Sequence, residues 1–306
     1  MRCLVSICNK DPAGRFRLPG VFLFEVDTDH GEVRPVRLDH PRSRAALGVN
    51  GLAHYQDGIL LVPQDARQLV RLDAMLAVSD VWETPDVSGG HSIAVKGARA
   101  HVVCARTDSI VEFEPDRGAG LYWRANTGGA DTLHMNSALW VGEALYLSAF
   151  GPKSNPAGLW SSAVDGYILE VGTGRQLVAP IRHPHTLVQF GGQLHWCESA
   201  AMAVCNQAGQ RLDVGRGYVR GLAIDEQHVV VGISKGRNMS VSTGRRILDS
   251  VFRRTECGLV VYRHDTARLG NSTVVSEISL ADYGDEIYDI LPLDLPTRRS
   301  RTRVSS

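Results

Sequence analysis

Short apolar runs, each about the length of one strand, recur along the whole chain with clusters of Gly, Asp and Asn between them, and helical periodicity is hard to find. Six segments share a sharper pattern: a polar or ionisable residue, an apolar strand, a turn and a second apolar strand. They open at Asn50 (NGLAHYQDGILLV), His91 (HSIAVKGARAHVV), His134 (HMNSALWVGEALYL), His185 (HTLVQFGGQLHW), Arg220 (RGLAIDEQHVVV) and Glu286 (EIYDILPL). The starts lie roughly 35 to 65 residues apart, the spacing of four-stranded propeller blades.

The second blade is the clearest, with HSIAV, AHVVCA, SIVEFE and GLYWRA joined by KGAR, RTD and PDRGA. NGLAH, ILLVP, QLVRLD and VSDVWE give the first, and HTLVQF, QLHWCE, AMAVCN and QRLDVG the fourth. The third and fifth fit when each carries a long insertion between its second and third strands, GPKSNPAGLWSSAVD and KGRNMSVSTGRRILDSVFRRTE. The sixth explains both ends of the chain: EIYDILPL supplies one strand, and CLVSIC, VFLFEVD and VRPVRL supply three. Residues 1–293 are therefore expected to form one all-β domain, a six-bladed β-propeller closed by one C-terminal strand plus three N-terminal strands. Such closure pairs edges that would otherwise be exposed. The basic stretch 294–306 is expected to be a disordered tail.

Strands alternate in direction, so the first-strand starts and the connections from second to third strand share a face. The longest such connections, residues 9–20, 150–162 and 235–256, gather over the mouth ringed by the six polar starts. Long loops over one mouth form a binding rim or lid.

Composition narrows the function classes. With 33 basic and 33 acidic residues the net charge is zero, which leaves no electrostatic footprint for nucleic acid or an anionic membrane. No apolar stretch reaches membrane-span length, and MRCLVSICNKD reads as a strand rather than a signal peptide. P-loop, GxGxxG and GxSxG motifs are absent, so no nucleotide cofactor is expected. Cys3, Cys8, Cys104, Cys197, Cys205 and Cys257 lie mostly in apolar runs without CxxC spacing, and read as buried free thiols of a reducing, cytoplasmic compartment. A Cys197–Cys205 bridge across neighbouring strands is the alternative. The acceptor triplet Asn238-Met239-Ser240 has meaning only in a secreted chain. High Arg, Ala, Gly and Val content is compatible with a GC-rich bacterium.

Candidate chemistry gathers at the mouth. His91, His134, His185 and Glu286 begin innermost strands, and imidazoles plus a carboxylate suit a divalent transition metal (Zn, Mn, Fe or Ni) with positions left for water or substrate. The plainer alternative is that each histidine caps its strand on a neighbouring carbonyl. Asn50 and Asn136 are substrate contacts or further oxygen ligands, or else bond the channel backbone. His183, two residues before His185, is a second-choice ligand or a proton carrier. Tyr288, two residues after Glu286, faces the same way and carries a proton or fills the core. Arg220, beside Tyr218, offers a charge to a carboxylate, phosphate or enolate, or pairs with Glu286. The second-strand ends add Asp65, Arg106, Glu198, Lys235 and Arg237. With Phe150, Trp160 and Trp196 nearby, they suit a small polar molecule, sugar-like or amino-bearing.

The runs PHTLVQFGGQLHWCESAAMAVC, NGLAHYQDG, GYVRGLAI, GISKGR and EIYDILPL resemble a bacterial β-propeller family of unknown function over roughly residues 48–292. Its members carry an NGLA segment, a Pro-His-Ser-Pro-Arg run, an RGLA segment and a terminal EIYDV-like strand. By position the resemblance singles out Asn50, His185, Arg220 and Glu286. This chain departs from the family at Thr186-Leu187-Val188, where the family has Ser-Pro-Arg. The layout is also similar to the six-bladed gluconolactonase and strictosidine-synthase group, whose acidic and asparagine ligand set is replaced here by histidine. The histidine-rich funnel looks more like propeller lyases that hold a transition metal.

The leading expectation is a metal-dependent enzyme working at the channel mouth, with His91, His134, His185 and Glu286 as ligands. Arg220 takes up developing charge, and Tyr288 or His183 moves protons, in a lyase- or epimerase-type abstraction beside a carbonyl of a sugar-like or carboxylate substrate. The alternatives are a lactonase-like hydrolase, a metal-free enzyme with Glu286 as base, and a non-catalytic propeller binding a small ligand or a protein.

Overall fold

Each apolar run is a strand, and in the inner strands of a blade both faces are covered. The computed structural model describes residues 1–8, 15–44, 47–125, 128, 130–155, 158–235 and 256–294. Blade 1 comprises β4 (Val49–Tyr55), β5 (Gly58–Pro63), β6 (Gln68–Leu72) and β7 (Val78–Glu83). Blade 2 is β8 (Gly90–Lys96), β9 (Arg99–Cys104), β10 (Ser109–Glu114) and β11 (Gly118–Arg124). Blade 3 is β12 (Met135–Val141), β13 (Ala144–Ala149), β14 (Gly166–Glu170) and β15 (Gln176–Ile181). Blade 4 is β16 (Pro184–Phe190), β17 (Gln193–Glu198), β18 (Ala203–Asn206) and β19 (Arg211–Asp213). Blade 5 is β20 (Tyr218–Ile224), β21 (His228–Ser234), β22 (Gly258–Arg263) and β23 (Thr273–Ser279). Blade 6 joins β24 (Ile287–Pro292) to β1 (Arg2–Ile7), β2 (Leu23–Asp27) and β3 (Glu32–Val36). Antiparallel pairing that sets Ile7 opposite Ile287 and Cys3 opposite Pro292 closes the ring as expected.

The core is six separate clusters, one between each pair of neighbouring blades. Alternate residues of one strand feed two clusters. Ile59 and Leu61 of β5 pack toward blade 6, while Leu60 and Val62 pack toward blade 2. This two-sided burial is why the strands read as continuous Val, Ile and Leu runs rather than a strict apolar–polar alternation. All six cysteines are buried and free, so the Cys197–Cys205 alternative is not realised.

The innermost strands share one irregularity that positions the site: each carries a β-bulge near its start. Val49 opposes Pro63 but Leu52 opposes Leu61, and Gly90 opposes Cys104 but Ser92 opposes Val103. The same extra residue falls between Met135 and Ser137, His185 and Leu187, Val219 and Leu222, and Ile287 and Asp289. A bulge bends its strand, frees backbone groups and re-aims a side chain. Neighbouring blades satisfy several of the freed amides. Leu52 N–H donates to Asp289 Oδ2 at 3.0 Å, Leu187 N–H to Ser137 Oγ at 3.1 Å and Gly221 N–H to Thr186 Oγ1 at 3.1 Å. Glycine is required at two of these bends. A Cβ on Gly51 would lie 2.6 Å from Ser92 Cα, and Gly221, at φ +72°, would meet Ile290 Cγ1 at 2.7 Å.

Arg237, the triplet Asn238-Met239-Ser240, the tail from residue 295 onward, and residues 9–14 and 236–255 of the expected rim loops lie outside the described residues. No described helix is long and apolar enough to cross a membrane.

Candidate functional site

The bulges bring side chains of different blades to the channel axis. Asn50, His91, Asn136, Thr186, Arg220 and Tyr288 occupy the six bulge positions. This corrects the expected ring. His91 is a bulge residue, His134 lies two positions before a bulge, and His185 is the ladder-paired residue preceding one. The three histidines are therefore not equivalent, because strand starts read from sequence do not reveal where the extra residue falls. They still meet. The rings of His91 and His134 are 5.4 Å apart, and His91 lies edge-on to Tyr288 of blade 6 at 5.6 Å, across the channel.

Hydrogen bonds fix which ring nitrogens are occupied. Ser199 Oγ donates to Val219 O at 2.5 Å, so it accepts from His185 Nδ1–H at 2.7 Å. The guanidinium can only donate, and Arg220 Nε–H reaches His185 Nε2 at 3.2 Å. His183 Nε2–H donates to Trp160 O at 3.0 Å, leaving Nδ1 to accept from Tyr218 O–H at 2.9 Å. His91 Nδ1–H donates to Gly89 O at 2.8 Å, and His134 Nδ1 faces both Asp131 carboxylate oxygens at 3.2 Å. Nε2 of His91 and of His134 have no hydrogen-bond partner among the described residues.

Burial keeps His91, His183 and His185 from protonating. It pushes His91 down to about 3 and His183 to about 4, and holds His185 well below the ordinary imidazole range, with the Arg220 charge adding to the effect on His185. Arg220 is 8% exposed and lies between the faces of Tyr218 (5.2 Å) and Tyr288 (5.0 Å), with Nη1 3.6 Å from Glu286 Oε2. The described part of the 150–162 loop roofs this group. Phe150 stacks on His183 at 4.1 Å, and Trp160, itself beneath the Lys153 ammonium, covers His134 at 4.5 Å.

The expected four-ligand set does not fit this geometry. His185 spends Nε2 on a guanidinium, Glu286 faces the same cation, and among the described residues no three His, Cys, Asp or Glu side chains are grouped to hold an ion. His183, with both nitrogens bonded into the wall, positions Tyr218 rather than carrying protons. Glu198 is tied to Arg182 N–H (3.1 Å) and Arg211 (3.6 Å) at the edge of its own blade, and Trp196 lies in the core between blades 3 and 4. Arg106 bonds Asp65 at 3.0 Å and Lys235 lies 3.5 Å from Asp285, both on the outer rim. Sequence reading missed Asp131, Thr186 and Ser199. The three-residue spacing from Asp131 to His134 was a usable signal, whereas Ser199 reaches His185 only through strand register.

Residues 51–299 match the family described as a domain of unknown function, DUF4915. The chain belongs to that family. No curated protein matches the sequence. Among solved structures, a chain of the Nidogen/Laminin complex is similar at TM-score 0.62 and 12% identity, covering 95% of this DUF4915 chain and 97% of that one. A streptogramin B lyase follows at TM-score 0.53 and 12% identity, with 90% and 83% covered. The calcium-binding protein regucalcin from Agrobacterium tumefaciens is similar at TM-score 0.49 and 15% identity, with 76% and 74% covered. At these identities the likeness is one of fold.

Proposed function

We propose that the funnel is the active site of an enzyme that binds a small carboxylate-bearing polar substrate and moves a proton beside its carbonyl, a lyase- or epimerase-type reaction. The observation that carries this reading is Arg220. It is a permanent cation at a bulge on the axis, held between two tyrosine rings and anchored through Nε to an uncharged imidazole. Anchoring through Nε, with Nη1 3.6 Å from Glu286 Oε2, turns the Nη edge toward anions, where a carboxylate or enolate would compete with Glu286. In its ionised form Tyr288, whose ring lies against that cation, is the base. The substrate C–H bond breaks, the proton passes to the Tyr288 oxygen, and the electron pair moves into an enolate held by Arg220. A proton delivered to the other face by solvent water epimerises the carbon, and Tyr288 then yields its own proton to solvent; a β-substituent that leaves with the Tyr288 proton completes an elimination. A streptogramin B lyase shares the architecture, but its 12% identity brings no substrate to this chain.

The test is incubation with a panel of small hydroxy, uronic and amino acids in D2O, following loss of C–H signals by NMR. At least one acid should exchange or react. Tyr288→Phe should slow that exchange about a hundredfold while the acid still binds, and Arg220→Met should abolish binding. Binding that survives Arg220→Met, or no exchange with any acid bound, overturns the proposal.

A further inference from the structure

The bulge ring holds a second constellation that the proposed reaction does not use. Asn50 donates Nδ2 to Gly90 O at 2.6 Å, and Asn136 donates Nδ2 to His134 O at 2.8 Å. An amide nitrogen that donates to a carbonyl fixes the orientation of the group, so the opposite atom is the oxygen. Both Oδ1 atoms are buried, in residues only 3% and 2% exposed, and neither has a hydrogen-bond partner among the described residues. An orphaned buried acceptor is destabilising unless a ligand satisfies it. The two amides flank the pair formed by His91 and His134 in neighbouring blades. Each of those histidines has Nδ1 held from behind, one by a backbone carbonyl and one by a carboxylate. That is the outer-shell arrangement of metal-bound imidazoles.

From the two orphaned amide oxygens and the close pair of imidazoles beside them we infer that His91 Nε2, His134 Nε2 and the Asn50 and Asn136 amide oxygens form a site for one divalent transition-metal ion of the zinc, cobalt or nickel type. Spacing agrees with the inference. Two imidazoles on a common ion at about 2.1 Å place their centroids about 3.2 Å from it, so rings 5.4 Å apart subtend roughly 110° at the ion. That angle suits a tetrahedral centre. Two neutral nitrogens and two amide oxygens bring no charge, which makes the site weaker than a cysteine or carboxylate cage and leaves it open to exchange. Asp131 is the positioning residue for His134.

The site stands apart from the proton-transfer reading, and its test reads metal rather than turnover. Full-length protein is stripped with a chelator and titrated with Co(II) and Zn(II), followed by calorimetry and by the cobalt d–d spectrum. One equivalent should bind per chain, with a tetrahedral spectrum lacking thiolate bands. His91→Ala and His134→Gly should each weaken binding at least tenfold, and Asp131→Asn by roughly ten- to a hundredfold. Thermal melts establish that each variant folds, and His134→Gly is included because its backbone conformation favours glycine. Absence of binding to wild type, thiolate bands in the spectrum, or unchanged affinity in the two folded histidine variants overturns the site.

Discussion

Arg220 donates from Nε to His185 Nε2 at 3.2 Å and lies 3.6 Å from Glu286 through Nη1. The first contact fixes an imidazole tautomer; the second sets two charges together where their side chains are only 9% and 8% exposed. Removing one partner of such a pair costs roughly 3–5 kcal/mol, mostly because the other is left buried and charged. Arg220→Leu should therefore be strongly destabilised in urea unfolding. Arg220→Leu with Glu286→Gln should regain about 2 kcal/mol of that loss. A double variant no more stable than the single one would show that the buried carboxylate is not what costs.

The fold was legible because the inner strands of each blade are buried on both faces and left apolar runs rich in Val, Ile and Leu, and because the lone EIYDILPL strand needed partners that the N-terminus supplied. Asn50, His91 and Arg220 were found because a bulge residue at the mouth tends to be the first polar residue before an apolar run. That His134 and His185 are not equivalent to His91 was not legible: one inserted residue per strand shifts the register without marking the sequence. Glu198 and Trp196 were misplaced for a related reason. Their position at a strand end fixed the face of the propeller but not whether the side chain turned toward the axis or into its own blade.

His134 has φ +48°, a left-handed conformation, at the position where blade 2 has Gly89 at φ +63°. A side chain there costs roughly 1–2 kcal/mol, which points to a use for the imidazole. Removing the imidazole while keeping the strain should be worse than removing both. His134→Gly should thus be more stable than His134→Ala by about 1 kcal/mol, the reverse of the usual order in strands. Paired urea melts check this, and an Ala variant equal to or better than Gly would mean the backbone is relaxed at this site.

Gly221 is the second residue of the blade 5 bulge and directly follows Arg220. At φ +72°, with Ile290 2.7 Å from any added Cβ, Gly221→Ala should cost about 1–3 kcal/mol. It should also displace Arg220, so carboxylate affinity in the folded variant should fall together with stability. Gly31, at φ +69° with no atom within 4 Å, serves as the comparison. Gly31→Ala should show only the backbone part of the penalty and leave binding unchanged. Equal losses at both sites would remove the case for a bulge that aims the guanidinium.

Acid should weaken this fold, and Asp289 should soften the effect. Unfolded histidines titrate near 6.5, but burial keeps His91 unprotonated down to about 3 and His183 down to about 4, and holds His185 well below its ordinary value. Between pH 6.5 and 4 the unfolded chain therefore binds more protons, and stability falls as pH falls. Asp289 runs the other way. Burial raises its carboxyl from 3.8 to about 6, against the pull of the Leu52 and Ile290 amides, so between those values the folded chain binds the extra proton and gains stability as pH falls. Three histidines outweigh one carboxyl, and the net change is a loss. Asp289→Asn removes the offset, so its stability should drop more steeply than wild type from pH 6 to pH 4, by up to about 3 kcal/mol. Asn keeps one of the two acceptors, which lowers the baseline, so the slope in urea melts at several pH values is the readout. Parallel slopes for the two proteins would show that Asp289 does not titrate in that window.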